Sequence, residues 1–258
     1  MHGDKKITQM FHGDKEIIRA YQGDSLVFRS RLIEGEDYER KGWLQSNGGF
    51  VDLNYKPIPK TIRLETQYRY VPSLIKKGSL SQISLMLCGS REETNGGSRN
   101  TTAIWGITTE KCRFDILQDT NKVLNSKMSI VTNKSYTITA NNNTHKGTIE
   151  NETISPTSYS NKSASRYNVS FHIFGGNVGD THYQSGNHKG GLEISYFKIW
   201  EGSTQVFDLI PVILTKNIPA QFDGNNKARN TGDVGLFNLI DGKFYGNSDP
   251  TYKLLVRN

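Results

Sequence analysis

Apolar and polar residues alternate over short stretches through most of the chain, which is the pattern of β-strands with one buried face. Residues 62–70 show it most clearly, because every second position is apolar or Thr while the positions between are charged or amide residues. The same alternation recurs at 112–116, 136–140 and 167–173, and residues 82–88 are more uniformly apolar. Turn signals separate these stretches, among them Asn141-Asn142-Asn143 and Asp241-Gly242. No helical period of useful length is present, so the pattern predicts an all-β protein built as a sandwich or jelly roll.

Residues 192–212 are predicted to form the central hairpin of that sandwich. Two strand-like segments, 192–200 and 205–212, are joined by the turn signal Glu201-Gly202-Ser203. Side chains alternate across a strand, so residues of opposite parity point to opposite faces. In the first segment bulky residues occupy both parities, namely Leu192, Ile194, Tyr196 and Trp200 on one and Phe197 and Ile199 on the other. We therefore expect this strand to be covered on both faces; an ordinary edge hairpin is the alternative.

The N-terminal residues contain one decapeptide repeated three times. Gly-Asp recurs at positions 3, 13 and 23, and Gly-Asp is turn chemistry because Gly accepts positive φ and Asp bonds its own backbone. The repeats therefore predict a small three-repeat β-meander. Three short strands bury little surface on their own. The module therefore needs a partner, which is the main domain, a copy of itself or another protein. We interpret it as a docking module, with a decorative extra sheet as the alternative; the predicted docking residues are Ile7, Phe11, Ile17, Tyr21 and Val27.

These patterns divide the chain into three predicted parts: a docking module at 1–33, a linker at 34–42 and a β-sandwich at 43–258. The linker carries four clustered acids between glycines, Glu34, Glu36, Asp37 and Glu39. In such a hydrophilic segment we interpret them as a solvated spacer rather than as catalytic carboxylates.

The charge and hydrophobicity of the chain limit the kinds of partner and the cell compartment that are expected. The formal net charge is +7, but the 32 basic residues are scattered without an arginine-rich block, so nucleic acid is not a predicted partner. No apolar run reaches about 18 residues, so no membrane span is expected. The polar N-terminus lacks the apolar core of a secretory signal, which predicts folding in a cytoplasm. There, Cys88 and Cys112 are expected to be reduced and buried, with a disulfide as the alternative.

Five segments, in the same order, resemble laminin-G-like (concanavalin A-like) domains of bacteriophage tail and bacterial surface proteins. They are residues 43–57, 87–91, 171–177, 192–212 and 234–247, so the likeness covers about 43–258. The N-terminal repeats are similar to short Gly-Asp β-repeats that precede such domains in phage structural proteins. The loop 221–233 departs from the family pattern, because it is longer than expected.

The resemblance implies a concanavalin A-like jelly-roll sandwich in a phage virion protein, such as a tail fibre, baseplate or head-decoration component. It implies assembly in the host cytoplasm, docking to other virion proteins through the N-terminal repeats, and a lectin-like domain that attaches to a host cell-surface glycan. Weak single contacts hold a host through multivalency, so we expect a homo-oligomer, with a trimer as first guess by family analogy. A spacer or decoration domain that contacts only neighbouring virion proteins is the alternative.

Most residue patterns typical of catalytic sites are absent from the sequence. Relatives of this fold that cleave polysaccharides carry Glu-x-Asp-x-x-Glu on one strand, and that pattern is absent here. Glu150 and Glu152 share a face if one strand runs through both, and Glu193 stands alone on its strand. No Gly-x-Ser-x-Gly elbow, nucleotide-binding glycine motif or metal spacing of the six His residues is present. We therefore predict no enzyme activity, no cofactor and no metal; a glycan hydrolase is the less favoured alternative.

Ligand recognition is therefore the predicted role, and one loop has the residue composition of a sugar-binding site. Sugar sites combine an aromatic platform with amide, hydroxyl and carboxylate groups on loops or on a sheet. The loop 175–188 offers the predicted carbohydrate-binding residues Asn177, Asp180, His182, Tyr183 and Asn187. A Gly-rich surface loop without a ligand is the alternative. Trp105 is a second candidate platform, or else a core residue.

Overall fold

The structure, a computed structural model, confirms the all-β prediction. It describes residues 11–12, 15–16, 19–22, 25–29, 31–75, 84–93, 99–104, 107–108, 112–114, 124–155, 165–178, 181–183 and 190–258. Helical structure in these ranges is limited to two short 3-10 turns, Pro72–Leu74 and Ala220–Phe222. No helix in the described ranges has the length and apolar character needed to cross a membrane.

The described part of the N-terminal repeats forms two separate hairpins. Strand β1 (Phe11–His12) pairs with β2 (Lys15–Glu16), and β3 (Arg19–Gln22) pairs with β4 (Ser25–Arg29). The Gly-Asp dipeptides at 13–14 and 23–24 stand between the strands of each pair in the sequence, and they lie outside the described residues. The predicted docking residues Ile7 and Ile17 lie outside the described residues, and Phe11 and Val27 lie in β1 and β4. Tyr21 lies in β3 and is 54% exposed.

Twenty-one further strands follow among the described residues. They are β5 (Tyr38–Arg40), β6 (Trp43–Asn47), β7 (Val51–Asp52), β8 (Ile62–Tyr70), β9 (Ser84–Leu85), β10 (Cys88–Glu93), β11 (Arg99–Ile104), β12 (Ile107–Thr108), β13 (Arg113–Phe114), β14 (Leu124–Asn125), β15 (Ser135–Asn141), β16 (Lys146–Ile149), β17 (Glu152–Ile154), β18 (His172–Ile173), β19 (Gly176–Val178), β20 (Thr181–Tyr183), β21 (Leu192–Glu201), β22 (Thr204–Leu214), β23 (Val234–Asn238), β24 (Phe244–Gly246) and β25 (Lys253–Arg257).

Two sheets account for most of these strands. The large sheet has the order β17-β16-β15-β8-β21-β22-β23-β24, with β6 paired to β21, β25 to β6 and β5 to β22. Its described pairings are antiparallel. The smaller sheet has the order β20-β19-β10-β18-β7, with β11 on β10, and β19 runs parallel to β10. Two further pairs, β9–β12 and β13–β14, stand apart.

The main hydrophobic core lies between these two sheets, which makes the architecture a β-sandwich. Phe197 of the large sheet meets Phe171 next to β18, with the ring centroids 6.2 Å apart. Val51, Cys88 and Ile173 contribute from the smaller sheet. The large sheet contributes alternate residues of its central strands, including Ile62, Leu64, Tyr68, Tyr136, Ile138, Ile194, Ile199, Leu209 and Leu236.

A β-bulge at Ser195 corrects our interpretation of the central strand. Ile194 lies opposite Tyr68 on β8, and Tyr196 lies opposite the next residue, Gln67, so Ser195 is an extra residue. An extra residue reverses the side-chain parity beyond it. The residues before and after the bulge, Leu192, Ile194, Phe197 and Ile199, therefore all face the main core. The prediction that bulky residues cover both faces was wrong for this reason, and Tyr196 and Trp200 lie on the opposite face, partly exposed.

A second hydrophobic cluster, on the β22–β24 part of the large sheet, includes Tyr38 from the predicted linker and Leu32 from the end of the predicted docking module. Its members are Leu32, Tyr38, Ile210, Val212, Leu214, Ile218, Phe222, Phe237 and Phe244. Ile210 and Val212 have the opposite parity to Leu209, so this cluster lies on the side of the sheet away from the main core. Asp37 is only 1% exposed, and its carboxylate accepts a hydrogen bond from the Ile33 amide at 2.8 Å. The interpretation of the clustered acids as a solvated spacer is therefore wrong for Asp37.

The two cysteines are free and buried, as predicted. Burial raises the pKa of the Cys112 thiol to about 12, so this thiol stays protonated at neutral pH.

Candidate ligand-binding face

The large sheet has one face that points away from the main core, and its β25–β6–β21–β8–β15–β16 part is only partly buried. We call this surface the outer face. It exists because alternate residues of each strand point away from the core, and on β8 these are the residues between the apolar positions. Its members include Trp43, Gln45, Arg63, Glu65, Gln67, Arg69, Thr137, Thr139, Thr148, Glu193, Ser195, Tyr196, Lys198, Trp200, Leu255 and Arg257.

Glu193 lies at the centre of a charged network on this face. The strand register places it opposite Gln45 on one side and Arg69 on the other. Its Oε2 atom lies 2.7 Å from Nη2 of Arg69 and 3.0 Å from Nη2 of Arg257, and its Oε1 atom accepts a hydrogen bond from Gln45. The Glu193 side chain is 2% exposed, so the two guanidinium groups compensate a carboxylate removed from water.

Trp43 flanks this network. The Arg69 guanidinium lies 3.9 Å from the centroid of the indole ring, and that of Arg257, the cross-strand partner of Trp43, lies 6.0 Å away. Both distances are in the range of cation–π contacts. The indole is thereby fixed beside the charged network at one end of the outer face.

A second tryptophan–arginine pair occupies the other end. Trp200 on β21 is the cross-strand partner of Arg63 on β8, and the guanidinium lies 3.8 Å from the ring centroid. Arg63 and Arg69 are six residues apart on one strand, which corresponds to about 20 Å. The two pairs therefore mark the ends of an elongated surface.

Hydroxyl and amide groups occupy the space between these ends. The Ser195 hydroxyl donates a hydrogen bond to Oε1 of Gln67 at 2.7 Å, and the hydroxyls of Thr139 and Thr148 lie 2.7 Å apart. Burial and the adjacent Glu65 raise the pKa of Tyr196 to about 12, so its phenol is a neutral donor at physiological pH. The surface can donate and accept hydrogen bonds along its length, as a ligand rich in hydroxyl groups requires.

The predicted sugar-binding loop lies elsewhere, at the edge of the smaller sheet. Asn177 in β19 is the cross-strand partner of His182 in β20, and Gly176 is the partner of Tyr183. The fold thus places the backbones of three predicted residues in one hairpin, whereas Asp180 and Asn187 lie outside the described residues. A role for this hairpin in sugar binding stays a prediction. Trp105, the second candidate platform, also lies outside the described residues.

The carboxylates considered for hydrolysis have other partners. Strand β16 ends at Ile149 and turns back as β17, so Glu150 lies in the turn and no single strand runs through it and Glu152. The Glu150 carboxylate accepts a hydrogen bond from the Thr137 amide at 2.6 Å. That of Glu152 accepts hydrogen bonds from two amides of the segment before β15, at 2.6 and 2.9 Å. The condition for a shared strand face, one strand through both residues, is therefore not met.

Among the described residues, no group of three or more His, Cys, Asp or Glu side chains is arranged to hold a metal ion. Comparison with models of known protein families and with curated proteins finds no match to this chain.

The Glu193 network was missed at the level of sequence. Glu193 stands alone on its strand, and its partners come from β6, β8 and β25, which are far apart in the chain. The one available signal was the polar alternation of 62–70, which indicated a wet face on β8 but not which strands would lie beside it.

Proposed function

We propose that the protein binds a glycan through the outer face of its large sheet. The observation that carries this proposal is the pair of tryptophan–arginine contacts at the two ends of one sheet face, with hydroxyl, amide and carboxylate groups between them. Aromatic rings offer apolar area at low entropic cost, and polar groups orient the sugar. Binding is favoured over hydrolysis because Glu193 is held by two arginines, and Glu150 and Glu152 by backbone amides.

The biological setting that we propose is a bacteriophage virion, with the glycan on the host surface. This part rests on the resemblance of residues 43–258 to concanavalin A-like domains of phage tail proteins, which also implies the jelly-roll topology. The N-terminal repeats are the proposed dock to other virion proteins, and the exposed ring of Tyr21 is available for such a contact. Many copies per particle, or a homo-oligomer, would convert weak sugar contacts into firm attachment.

A binding experiment on glycan arrays and on host cells tests the proposed binding to a host-surface glycan. Trp200→Ala should weaken binding about tenfold or more, because stacking and orientation are lost together at one end of the face. Leu239→Ala is the matched control, since Leu239 is an exposed apolar residue in the turn after β23 and lies off the outer face. Equal binding by both variants, or no binding by the wild type on either substrate, contradicts the proposal.

A truncation experiment tests the proposed docking of the N-terminal repeats to other virion proteins. Removing residues 1–30 keeps Leu32 and Tyr38, which belong to the second hydrophobic cluster. The truncated protein should unfold at the same urea concentration as the full chain but should fail to enter particles. Normal incorporation of the truncated chain would show that the repeats do not dock it.

A purely structural role is the second candidate, and one observation favours it. The charged groups around Glu193 already satisfy one another, as they would in a surface that only supports its neighbours. In that case another virion protein would cover the outer face in the assembled particle. Hydrogen exchange of β8 and β15 in intact particles, compared with the free protein, separates the two roles, because protection in the particle indicates a covered face.

A further inference from the structure

The β-bulge at Ser195 decides which residues of β21 reach the outer face. Ile194 and Tyr196 lie opposite successive residues of β8, so Ser195 is an extra residue and the side-chain parity reverses there. In an unbroken strand Tyr196 and Trp200 would point to the same side as Ile194, which faces the main core. The bulge therefore presents these two aromatic side chains on the outer face, where both are partly exposed.

A third aromatic side chain reaches the same part of the face from β6. Leu44 is the cross-strand partner of Ile194, and β6 runs antiparallel to β21, so the register places Trp43 beside the bulge. The indole is partly exposed, and its cation–π contact with Arg69 fixes it in place. Three aromatic rings thus lie on one sheet face, and we call them the aromatic line: Trp43, Tyr196 and Trp200.

The aromatic line is longer than one sugar ring. Tyr196 and Trp200 are four residues apart on β21, which separates their Cα atoms by about 13 Å. Trp43 lies about one residue farther along the strand direction, so its Cα atom is about 16 Å from that of Trp200. A single pyranose ring is far shorter than this and cannot contact both ends. An extended chain of about four rings spans the distance.

Polar side chains accompany the aromatic line along its length. Lys198 lies between the two aromatic residues of β21, and its cross-strand partners are Glu65 on β8 and Asp208 on β22. Gln67 on β8 is the cross-strand partner of Tyr196. Amine, amide and carboxylate groups therefore recur from one end of the line to the other. Hydroxyl groups on successive sugar rings require such a series of donors and acceptors.

We propose that the outer face binds an internal stretch of a linear glycan, about four sugar rings long, that lies along β21. The apolar sides of the rings would pack on the aromatic line, and their hydroxyl groups would bond the polar side chains beside it. Because the contacts are spread over several rings, no terminal sugar is needed. The inference rests on the proposed glycan-binding function and adds to it the length of the ligand and the part of the glycan that is recognised.

Titration calorimetry with fragments of defined length tests this proposal on the full chain. The fragments, from two to six sugars, are prepared from the host polysaccharide that the wild type binds on the array. The tetrasaccharide should bind at least about tenfold more tightly than the disaccharide, because it contacts both ends of the aromatic line at once. The hexasaccharide should gain less than about threefold more, since its additional rings lie beyond the line.

Variants of the aromatic line should change this dependence on length. In Trp200→Ala and in Trp43→Ala, the gain from disaccharide to tetrasaccharide should fall from about tenfold to about threefold or less, because one end of the contact is missing. Tyr196→Ala should reduce the gain, whereas Tyr196→Phe keeps the ring and should retain it. Leu239→Ala is the matched control, since Leu239 is exposed and lies off the outer face. Urea unfolding of each variant verifies that it folds, and Trp200→Ala carries the test if Trp43→Ala does not.

Recognition of an internal stretch is tested on the intact polysaccharide. An exoglycosidase removes the terminal sugar at the non-reducing end, and binding of the treated polymer is compared with that of the untreated polymer. Binding should be unchanged, because the internal rings remain. Loss of binding after this treatment would show that a terminal sugar is recognised and would overturn the proposal.

Two other outcomes would overturn it as well. One is equal affinity for the disaccharide and the tetrasaccharide, and the other is a Trp200→Ala variant that weakens binding of every length by the same factor. In both cases the glycan-binding function stands, because the wild type binds and the loss of Trp200 still weakens binding. If the wild type binds no glycan on arrays or on host cells, the glycan-binding function itself fails, and the inference about length fails with it.

Discussion

Glu193 and Arg69 face each other across β21 and β8, with Oε2 of the carboxylate 2.7 Å from Nη2 of the guanidinium. Arg257 reaches the same oxygen from β25, the strand at the other side of β6. One carboxylate thus joins four neighbouring strands, and it is almost fully removed from water. Its partners come from β6, β8 and β25, so this carboxylate links strands that are far apart in the chain.

Glu193→Gln should destabilise the protein by about 1–3 kcal/mol, because two guanidinium groups lose the carboxylate that compensates them. Urea unfolding followed by circular dichroism measures the change. Glu39→Gln is the control, since its carboxylate is 60% exposed and pairs with Lys41 at the surface. The control should change stability by less than about 0.5 kcal/mol. Equal effects of the two substitutions would mean that the Glu193 network contributes no more than a surface pair.

Acid should destabilise the fold through Glu201. Burial alone would raise the pKa of this carboxyl, but hydrogen bonds from Arg166 and Tyr55 outweigh it and hold the pKa below its usual value of 4.5. Because the unfolded chain then binds the proton more tightly, this stabilisation is present above about pH 4.5 and is lost as the pH falls below it. The melting temperature should therefore fall between pH 5 and pH 3, and less steeply in Glu201→Gln. A variant with the same pH profile as the wild type would exclude Glu201 as a cause.

The thiols should be unreactive in the folded protein. Cys88 and Cys112 are buried, and only an accessible thiolate reacts with disulfide reagents. At pH 8 we expect no modification of the native protein over the time in which both thiols react in denaturant. Rapid labelling of one thiol in the native state would show that its part of the sandwich opens readily.

Gly235 allows the close approach of β23 and β24. A Cβ at this position would lie 2.3 Å from the Tyr245 carbonyl oxygen, a backbone atom that cannot rotate away. Gly235→Ala should therefore cost about 3 kcal/mol, measured by urea unfolding. Gly202→Ala is the comparison, because Gly202 has φ 59° with nothing within 4 Å of the new Cβ. It should cost only about 1 kcal/mol, for its left-handed backbone.

Local pattern was enough to predict the regular strands. Residues 62–70 were predicted as a strand with one wet face, and β8 has these bounds and a buried residue at every second position. The central hairpin was predicted at 192–200 and 205–212, within the observed strands β21 and β22. Both predictions depend on side-chain period and turn chemistry, which act between neighbours in the chain.

Features that depend on distant pairing could not be predicted in this way. The bulge at Ser195 reverses the parity of half a strand, and no local signal marks the extra residue. The apparent coverage of both faces was the result of this one insertion. Asp37 and Tyr38 likewise follow a hydrophilic pattern, yet they are buried because β5 pairs with the end of β22. Burial there is decided by where the chain passes over the sheet.

The packing of residues 32–40 also affects how a force applied to the N-terminal repeats would reach the main sheet. Tyr38 stacks on Phe237 with the ring centroids 4.4 Å apart, and β5 is hydrogen-bonded to the last residues of β22. A pull applied to the N-terminal repeats would therefore reach the end of the long strand β22 through β5. If the N-terminal repeats were held while the sandwich was pulled, the pairing of β5 with β22 and the stacking of Tyr38 on Phe237 would resist the force together.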